Sequence, residues 1–217
     1  IVFGGTHPTI LPEQTIKNEY VDIVCVGEGD ITFPELVRAL QSHGSLAKVD
    51  GIVFKNGSNI TMTQSRPLLD VETLLPTPWE LIEVESYIHR DLYLKESCRN
   101  LDIGQTSRGC PFNCGFCSSA SIRQRKWRAM SVEKSLHNIV EAVRRFKLTG
   151  IWIRDDEFYI NRERASKICE GMIRENLNIH WYTSGTRIDV FNKATDEQVA
   201  LLKRSGAYVL KYGAESG

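Results

Sequence analysis

Three cysteines crowd together in the stretch Thr106-Ser107-Arg108-Gly109-Cys110-Pro111-Phe112-Asn113-Cys114-Gly115-Phe116-Cys117-Ser118. Their C-x3-C-x2-C spacing lets one loop wrap one metal centre. Three thiolates leave one iron of a [4Fe–4S] cube without a protein ligand, whereas four would close it, so the pattern points to a cluster whose open iron meets a substrate or cofactor. Zinc is the competing metal, but structural zinc wants four ligands, and no His or fourth Cys sits at a suitable spacing nearby. Three thiols in one glycine-rich turn with no metal would be an oxidation liability. Gly109 and Gly115 suit tight backbone around a cluster, and Phe112 and Phe116 can exclude solvent from it. The remaining cysteines, Cys25, Cys98 and Cys169, lie apart and read as small buried apolar residues or free thiols. Six cysteines in 217 residues are too sparse for a disulfide scaffold, which points to a reducing compartment.

The elements that would hold this loop alternate between strand and helix. After Asn100 the pattern runs from an apolar strand near Leu101 to Thr106 through the cysteine loop to a helix, a strand at Ile151 to Arg154, a helix, a strand at His180 to Thr183, a helix, and a strand at Tyr208 to Tyr212. In the first helix Val132, Leu136, Ile139, Val140, Val143 and Phe146 share a face behind an N-cap at Ser131; in the second, Ala165, Ile168, Cys169, Met172 and Ile173 do so behind Asn161. The third opens on the capping box Thr195 to Gln198 and ends near Gly206. Strands linked by helices are expected to be parallel, with right-handed crossovers, curling into a barrel or partial barrel. Reactive groups then collect in the loops after the strands, where the cysteine loop, Asp155-Asp156, Ser184 to Arg187 and Glu215 all fall.

Before Asn100 the pattern is strand (Ile1 to Phe3), turn (Gly4 to Pro8), strand (Val21 to Val26) and a helix from about Phe33 to Ser42, with Thr32 and Glu35 as a capping box and Gly44 at its C-terminal turn. Gly51 to Thr63 reads as a hairpin turning at Asn56-Gly57. Pro67, Pro76 and Pro78 mark an extended linker. The expected organisation is residues 1–65, a linker over 66–98, and a core over 99–217.

Charge balances at 27 Lys+Arg against 27 Asp+Glu, so no global field draws the protein toward nucleic acid or an anionic membrane. No apolar run of about 18 residues occurs, and the opening Ile1-Val2-Phe3-Gly4-Gly5 lacks a signal peptide's basic head, so a cytoplasmic chain is expected. Both ends read as truncated, since the first residue is not Met and each terminus resembles a strand edge.

The cysteine spacing, directly after the first strand of a βα series, resembles the radical S-adenosylmethionine (SAM) superfamily. Ser107-Arg108-Gly109-Cys110-Pro111 and Gly213-Ala214-Glu215-Ser216-Gly217 are similar to its cobalamin-dependent branch, which includes the anaerobic magnesium-protoporphyrin ester cyclases and several C-methyltransferases. Gly4-Gly5-Thr6-His7-Pro8-Thr9, with Val21-Asp22-Ile23-Val24 and Gly27-Glu28-Gly29-Asp30, resembles the second half of that branch's cobalamin-binding domain. The fold implied is α/β: the C-terminal half of a Rossmann-like cobalamin-binding domain, then the first four βα units of a radical SAM partial TIM barrel. The half carrying the branch's Asp-x-His-x-x-Gly motif would lie upstream of Ile1.

The resemblance implies residue roles. Cys110, Cys114 and Cys117 would ligate the [4Fe–4S] cluster, and Phe116 would pack near the adenine of SAM. Gly4 and Gly5 would meet the nucleotide tail of cobalamin, although an ordinary strand-to-loop turn is the plainer reading. Asp156, preferred over Asp155, would face the SAM ammonium, or the pair forms a solvated acidic loop capping the Asn161 helix. Arg187 would fork onto the SAM carboxylate or anchor Asp189, and Glu215 would contact the ribose or amino acid, or form a simple turn. The run Arg123-Gln124-Arg125-Lys126-Trp127-Arg128 reads as a solvated face that an acidic substrate or reductase could also use, and His7 as a loop residue rather than a cobalt ligand. The implied activity is reductive cleavage of SAM coupled to cobalamin-dependent C-methylation or oxidative cyclisation of a small-molecule substrate, with flavodoxin or ferredoxin as electron donor. A methylthiotransferase would need an N-terminal domain with its own cysteine cluster, and only Cys25 precedes Arg66; a non-catalytic iron–sulfur or corrinoid-binding fragment is the further alternative.

Overall fold

The computed structural model describes residues 1–213. The chain forms two compact units interleaved in sequence, one of Ile1–Leu74 with Cys110–Lys126, the other of Leu75–Gly109 with Trp127 onward.

The first unit is a four-stranded sheet in the order β1 (Val2–Phe3), β2 (Ile23–Cys25), β3 (Ile52–Asn56), β4 (Asn59–Met62). β1 and β2 are parallel, the other pairs antiparallel. Helices α1 (Thr6–Ile10) and α2 (Pro12–Ile16) connect β1 to β2, and α3 (Gly29–Gln41) follows β2. The period of two in the strands separates two cores: Ile23, Cys25, Ile52 and Phe54 cluster with Leu36 of α3, while Val24 and Val53 cluster with Ile16 of α2. Each fully buried aliphatic side chain contributes about 1.5–3 kcal/mol. The last piece of this unit, Cys110–Lys126, holds the cysteines and α4 (Ser119–Arg123).

Several local expectations are corrected here. The Gly4–Pro8 turn is shorter than read: α1 starts at Thr6, so His7 is helical, and Thr9 Oγ1 donates to Gly5 O at 2.7 Å. Helix α3 begins a turn before Phe33, with Glu28 at its N-cap, and Thr32 and Glu35 make no capping box. Arg66 takes both side chains instead, Nε donating to Thr32 Oγ1 at 3.0 Å and a terminal amine pairing with Glu35. The left-handed residue after α3 is His43 (φ 51°), not Gly44. In the hairpin Asn56 pairs with Asn59, so Gly57-Ser58 form the loop, Gly57 at φ 62°. Residues 66–98 carry short 3₁₀ turns, at Val71–Thr73, Trp79–Leu81 and Val84–Tyr87, and bury Val71, Trp79, Val84 and Leu94.

The second unit is built on a four-stranded, wholly parallel sheet in the order β10, β9, β8, β5. Its strands are β5 (Asn100–Asp102), β8 (Gly150–Ile153), β9 (His180–Thr183) and β10 (Ala207–Val209). β5 is shorter than the strand expected to reach Thr106, because Gly104 turns the chain at φ 82° while its amide donates to the Asp102 side chain. β10 starts one residue before the expected 208–212 and stops at Val209, with Tyr212 making only an isolated parallel bridge to Thr186. Between β5 and β8 run β6 (Ser107–Arg108), the cysteine segment, β7 (Arg128–Ala129) and α5 (Val132–Phe146); α6 (Arg162–Arg174) precedes β9, and α7 (Ile188–Phe191) and α8 (Asp196–Arg204) precede β10. The three expected caps form: Ser131 accepts from Lys134 N, Asn161 from Arg164 N, and Thr195 with Gln198 closes a capping box. Ile151 and Ile153 are fully buried on one face of β8, while Trp152 on the other stacks against Tyr182 at 5.5 Å. Among the described residues no helix is long and apolar enough to cross a membrane.

Gly206, at φ 96°, is where α8 turns into β10, and a Cβ there would collide with the carbonyl of Ile179. Left-handed backbone and that carbonyl together give Gly206→Ala an expected loss of about 2–4 kcal/mol in unfolding free energy, read from urea denaturation; a loss under about 0.5 kcal/mol would contradict this packing.

Candidate metal centre

Cys110, Cys114 and Cys117 share one loop in the first unit. Cys110 and Cys114 are half-buried and Cys117 is exposed, with the Cys117 amide donating to Cys114 O at 3.0 Å across a tight turn. Among the described residues no three His, Cys, Asp or Glu side chains converge on one metal position, so the thiols share a loop without meeting at a point. The donor set fits an iron–sulfur cluster nonetheless: three soft thiolates lie within one short segment, and Gly115 has open space where a side chain would stand. Phe116 is 74 % exposed, so it does not shield the loop as expected. Arg123, expected on a solvated face, pairs with Glu28 at 2.6 Å, and Glu28 Oε2 also accepts from Leu69 N, which ties α4 to the start of α3.

In the second unit the residues flanking this loop are paired with each other. Ser107 lies opposite Ala129 and Arg108 opposite Arg128, so β6 and β7 make a two-stranded stem through which the chain leaves at Gly109 and returns at Trp127. The stem is gripped from the end of β8. Asp155 is fully buried, and its carboxylate accepts four hydrogen bonds: from Thr106 N (2.6 Å) and Oγ1 (2.7 Å), and from Ser107 N (3.0 Å) and Oγ (2.6 Å). Burial pushes its pKa above the ordinary carboxylate value, and the four donors pull against that shift. Asp156, exposed, accepts from Gly109 N at 2.9 Å, one residue before Cys110. Glu157 is buried and accepts from Tyr159 N (3.1 Å) and Arg187 N (2.8 Å). Opposite Asp155, Arg164 donates to Met130 O, Thr106 O and Ser135 Oγ, all within 2.9 Å.

The remaining candidates fall as follows. The Arg187 guanidinium forks onto Asp189, at 2.9 and 3.0 Å, the second of the two readings of that residue. Gly4 and Gly5 are exposed; Gly5, at φ 99°, has nothing within 4 Å of a would-be Cβ. Glu215 lies outside the described residues. Sequence reasoning missed Asp155, Glu157 and Arg164 as buried polar anchors. The clue to the first two was a run of three carboxylates at the end of an apolar strand, a poor place for unpaired charge.

Residues 105–217 match the family model of the Radical SAM superfamily. The chain belongs to that superfamily. Members of the radical SAM family use a [4Fe–4S] cluster and SAM. Over its whole length this radical SAM chain is 33 % identical to an uncharacterized methyltransferase of Pyrococcus horikoshii, covering 45 % of that protein. It is 28 % identical to the anaerobic magnesium-protoporphyrin IX monomethyl ester cyclase of a Synechocystis strain, covering all of this chain and 42 % of that one. The chain thus spans less than half the length of these curated relatives. The structure of the cobalamin-dependent SAM radical enzyme OxsB, solved with aqua-cobalamin and SAM bound, superimposes with a TM-score of 0.71 at 27 % identity, over 100 % of this chain and 31 % of that one. The radical SAM methyltransferase TsrM from Kitasatospora setae shares the fold at 14 % identity, with a TM-score of 0.75 over 99 % of this chain and 41 % of that one.

Two predictions follow from the burial of these groups. In the metal-free protein a maleimide should label exposed Cys117 and Cys98 within minutes, while Cys25 and Cys169, the latter pushed up to about 11 by burial, should react only after unfolding; mass spectrometry of labelled peptides reads the order. Burial also raises the Glu157 pKa, so its ionised form costs stability. That cost is absent below the unfolded value of about 4.3, where both states are protonated, and grows as pH rises through the higher folded value. Wild type should therefore lose stability relative to Glu157→Gln as pH climbs from about 4 to 7, and urea midpoints that move in parallel would refute it.

Proposed function

We propose that the full protein is a cobalamin-dependent radical SAM enzyme acting on a small molecule, by C-methylation or oxidative cyclisation. Residues 1–65 would belong to its cobalamin-binding domain, 66–98 to the connection and 99–217 to its catalytic barrel. The observation that carries the reading is the C-x3-C-x2-C loop set between the first two strands, β5 and β8, of a parallel βα series. Likeness over the whole chain to the cyclase and to OxsB supports the cobalamin branch.

In this reading Cys110, Cys114 and Cys117 hold the cluster as thiolates. A [4Fe–4S] cluster so held supplies one electron and one iron open to an incoming ligand. Asp156 and Arg187 stand in loops after β8 and β9, where parallel α/β folds gather ligand contacts. Asp156 would keep the Gly109 amide oriented and offer its second oxygen to an ammonium; Arg187 would meet a carboxylate by leaving Asp189. Gly5, unhindered at positive φ, lets a large ligand approach the backbone closely. The electron would come from a flavodoxin- or ferredoxin-type donor.

Anaerobic reconstitution with iron and sulfide, followed by EPR of the dithionite-reduced protein, tests this. A reduced-cluster signal that shifts on adding SAM and is lost in Cys114→Ala is the expected result. Stoichiometric zinc on the same cysteines, with no cluster, would refute it.

A further inference from the structure

The acidic run after β8 has a part that the proposed chemistry does not use. Asp155 is fully buried, cannot reach solvent, and directs both oxygens at Thr106 and Ser107. Thr106 is held on its other side too: its carbonyl accepts from Met130 N at 3.0 Å and from Arg164 at 2.9 Å. Arg164 in turn holds the Met130 carbonyl and Ser135. One buried carboxylate and one buried guanidinium therefore grip the same residue, the first through its amide and hydroxyl and the second through its carbonyl, at the foot of the stem formed by β6 and β7. A hydrophobic core would supply rigidity here more simply, and a buried charge is costly unless its partners are fully supplied. With its partners all supplied, such a charge fixes the direction of the groups it holds as well as their position.

We infer that Asp155 is the positioning residue for the stem that carries the cysteine loop: by fixing the backbone and hydroxyls of Thr106 and Ser107 it holds the strand from which that loop leaves at Gly109. Asp156 completes the setting by taking the Gly109 amide, and Gly109 takes up the turn at φ 88°. The inference rests on the cluster reading above for its chemical meaning, while the clamp itself is a property of the second unit. Asn at 155 would keep it in large part. Its carbonyl can take both backbone amides now on Oδ1, and the Thr106 and Ser107 hydroxyls can rotate to accept from its NH₂. Ala would leave two buried amides without partners.

The test is cluster lifetime in the reconstituted protein under an iron chelator, followed by absorbance, with amide hydrogen exchange over 106–109 measured in parallel. Removing hydrogen-bonded support of metal ligands typically costs about 10–100-fold in metal affinity. Asp155→Ala should therefore lose its cluster at least about tenfold faster than wild type, and Asp155→Asn should stay within about threefold. The SAM-induced EPR shift should be lost in Ala and kept in Asn. If Asp155→Ala does not fold, Thr106→Val with Ser107→Ala removes two of the four donors while leaving the backbone, and should shorten cluster lifetime severalfold. Wild-type lifetime in the alanine variant or in the double variant, or equal loss in Asn and Ala, overturns the inference. Should wild type take up no cluster, the functional reading fails, and faster exchange of the Thr106 and Ser107 amides in the alanine variant than in the asparagine variant still decides for or against the clamp.

Discussion

The buried carboxylate of Asp155 fixes the stem that the second unit builds between β5 and β8. Asp155 has been taken out of water at the end of an apolar strand, and such a group persists only when its lone pairs are filled by donors of fixed geometry. Two consecutive residues, each giving a backbone amide and a hydroxyl, fill them. The carboxylate needs that dipeptide for its donors, and the dipeptide is held by the carboxylate together with β7, Met130 and Arg164. Because Asp155 follows a strand with neighbours on both sides, its position is inherited from the sheet and not from a loop.

Of three adjacent acids, two hold the segment that leads to the cysteines and the third holds the loops after β8 and β9. Asp155 holds Thr106 and Ser107, Asp156 holds Gly109, and Glu157 holds Tyr159 and Arg187. Parallel strands make this possible, since the C-terminal ends of β5, β8 and β9 lie side by side and their following loops meet at one edge. The pKa directions agree with that division: burial lifts Asp155 and Glu157 although both accept several hydrogen bonds.

Where the sequence carried local signals, its reading and the fold agree. Ser131, Asn161 and the Thr195–Gln198 box each cap the expected helix, because capping depends on residues within one turn of each other. The parallel order of β5, β8, β9 and β10 follows from helical crossovers, also a short-range signal. Thr32 and Glu35 show the opposite case. A sound local pattern was overridden by Arg66, more than thirty residues away, whose guanidinium bonds to both side chains. The cysteine spacing was readable as metal chemistry from residue types alone. The clamp beneath it was not, because nothing in the order of letters says that Asp155 and Thr106, forty-nine positions apart, occupy one buried site.

The interleaving of the two units bears on how the chain acquires its structure during synthesis. Residues 1–74 are made before the rest of their unit, Cys110–Lys126, and everything from Leu75 to Gly109 belongs to the other. On a ribosome the early segment can form its sheet, but it must wait for about fifty further residues, a matter of seconds at ordinary elongation rates, before its final piece is available. Those residues arrive with the stem still open, since β7, Met130 and Arg164 are translated later. The cysteine segment therefore completes the first unit before the residues that close the stem have been made.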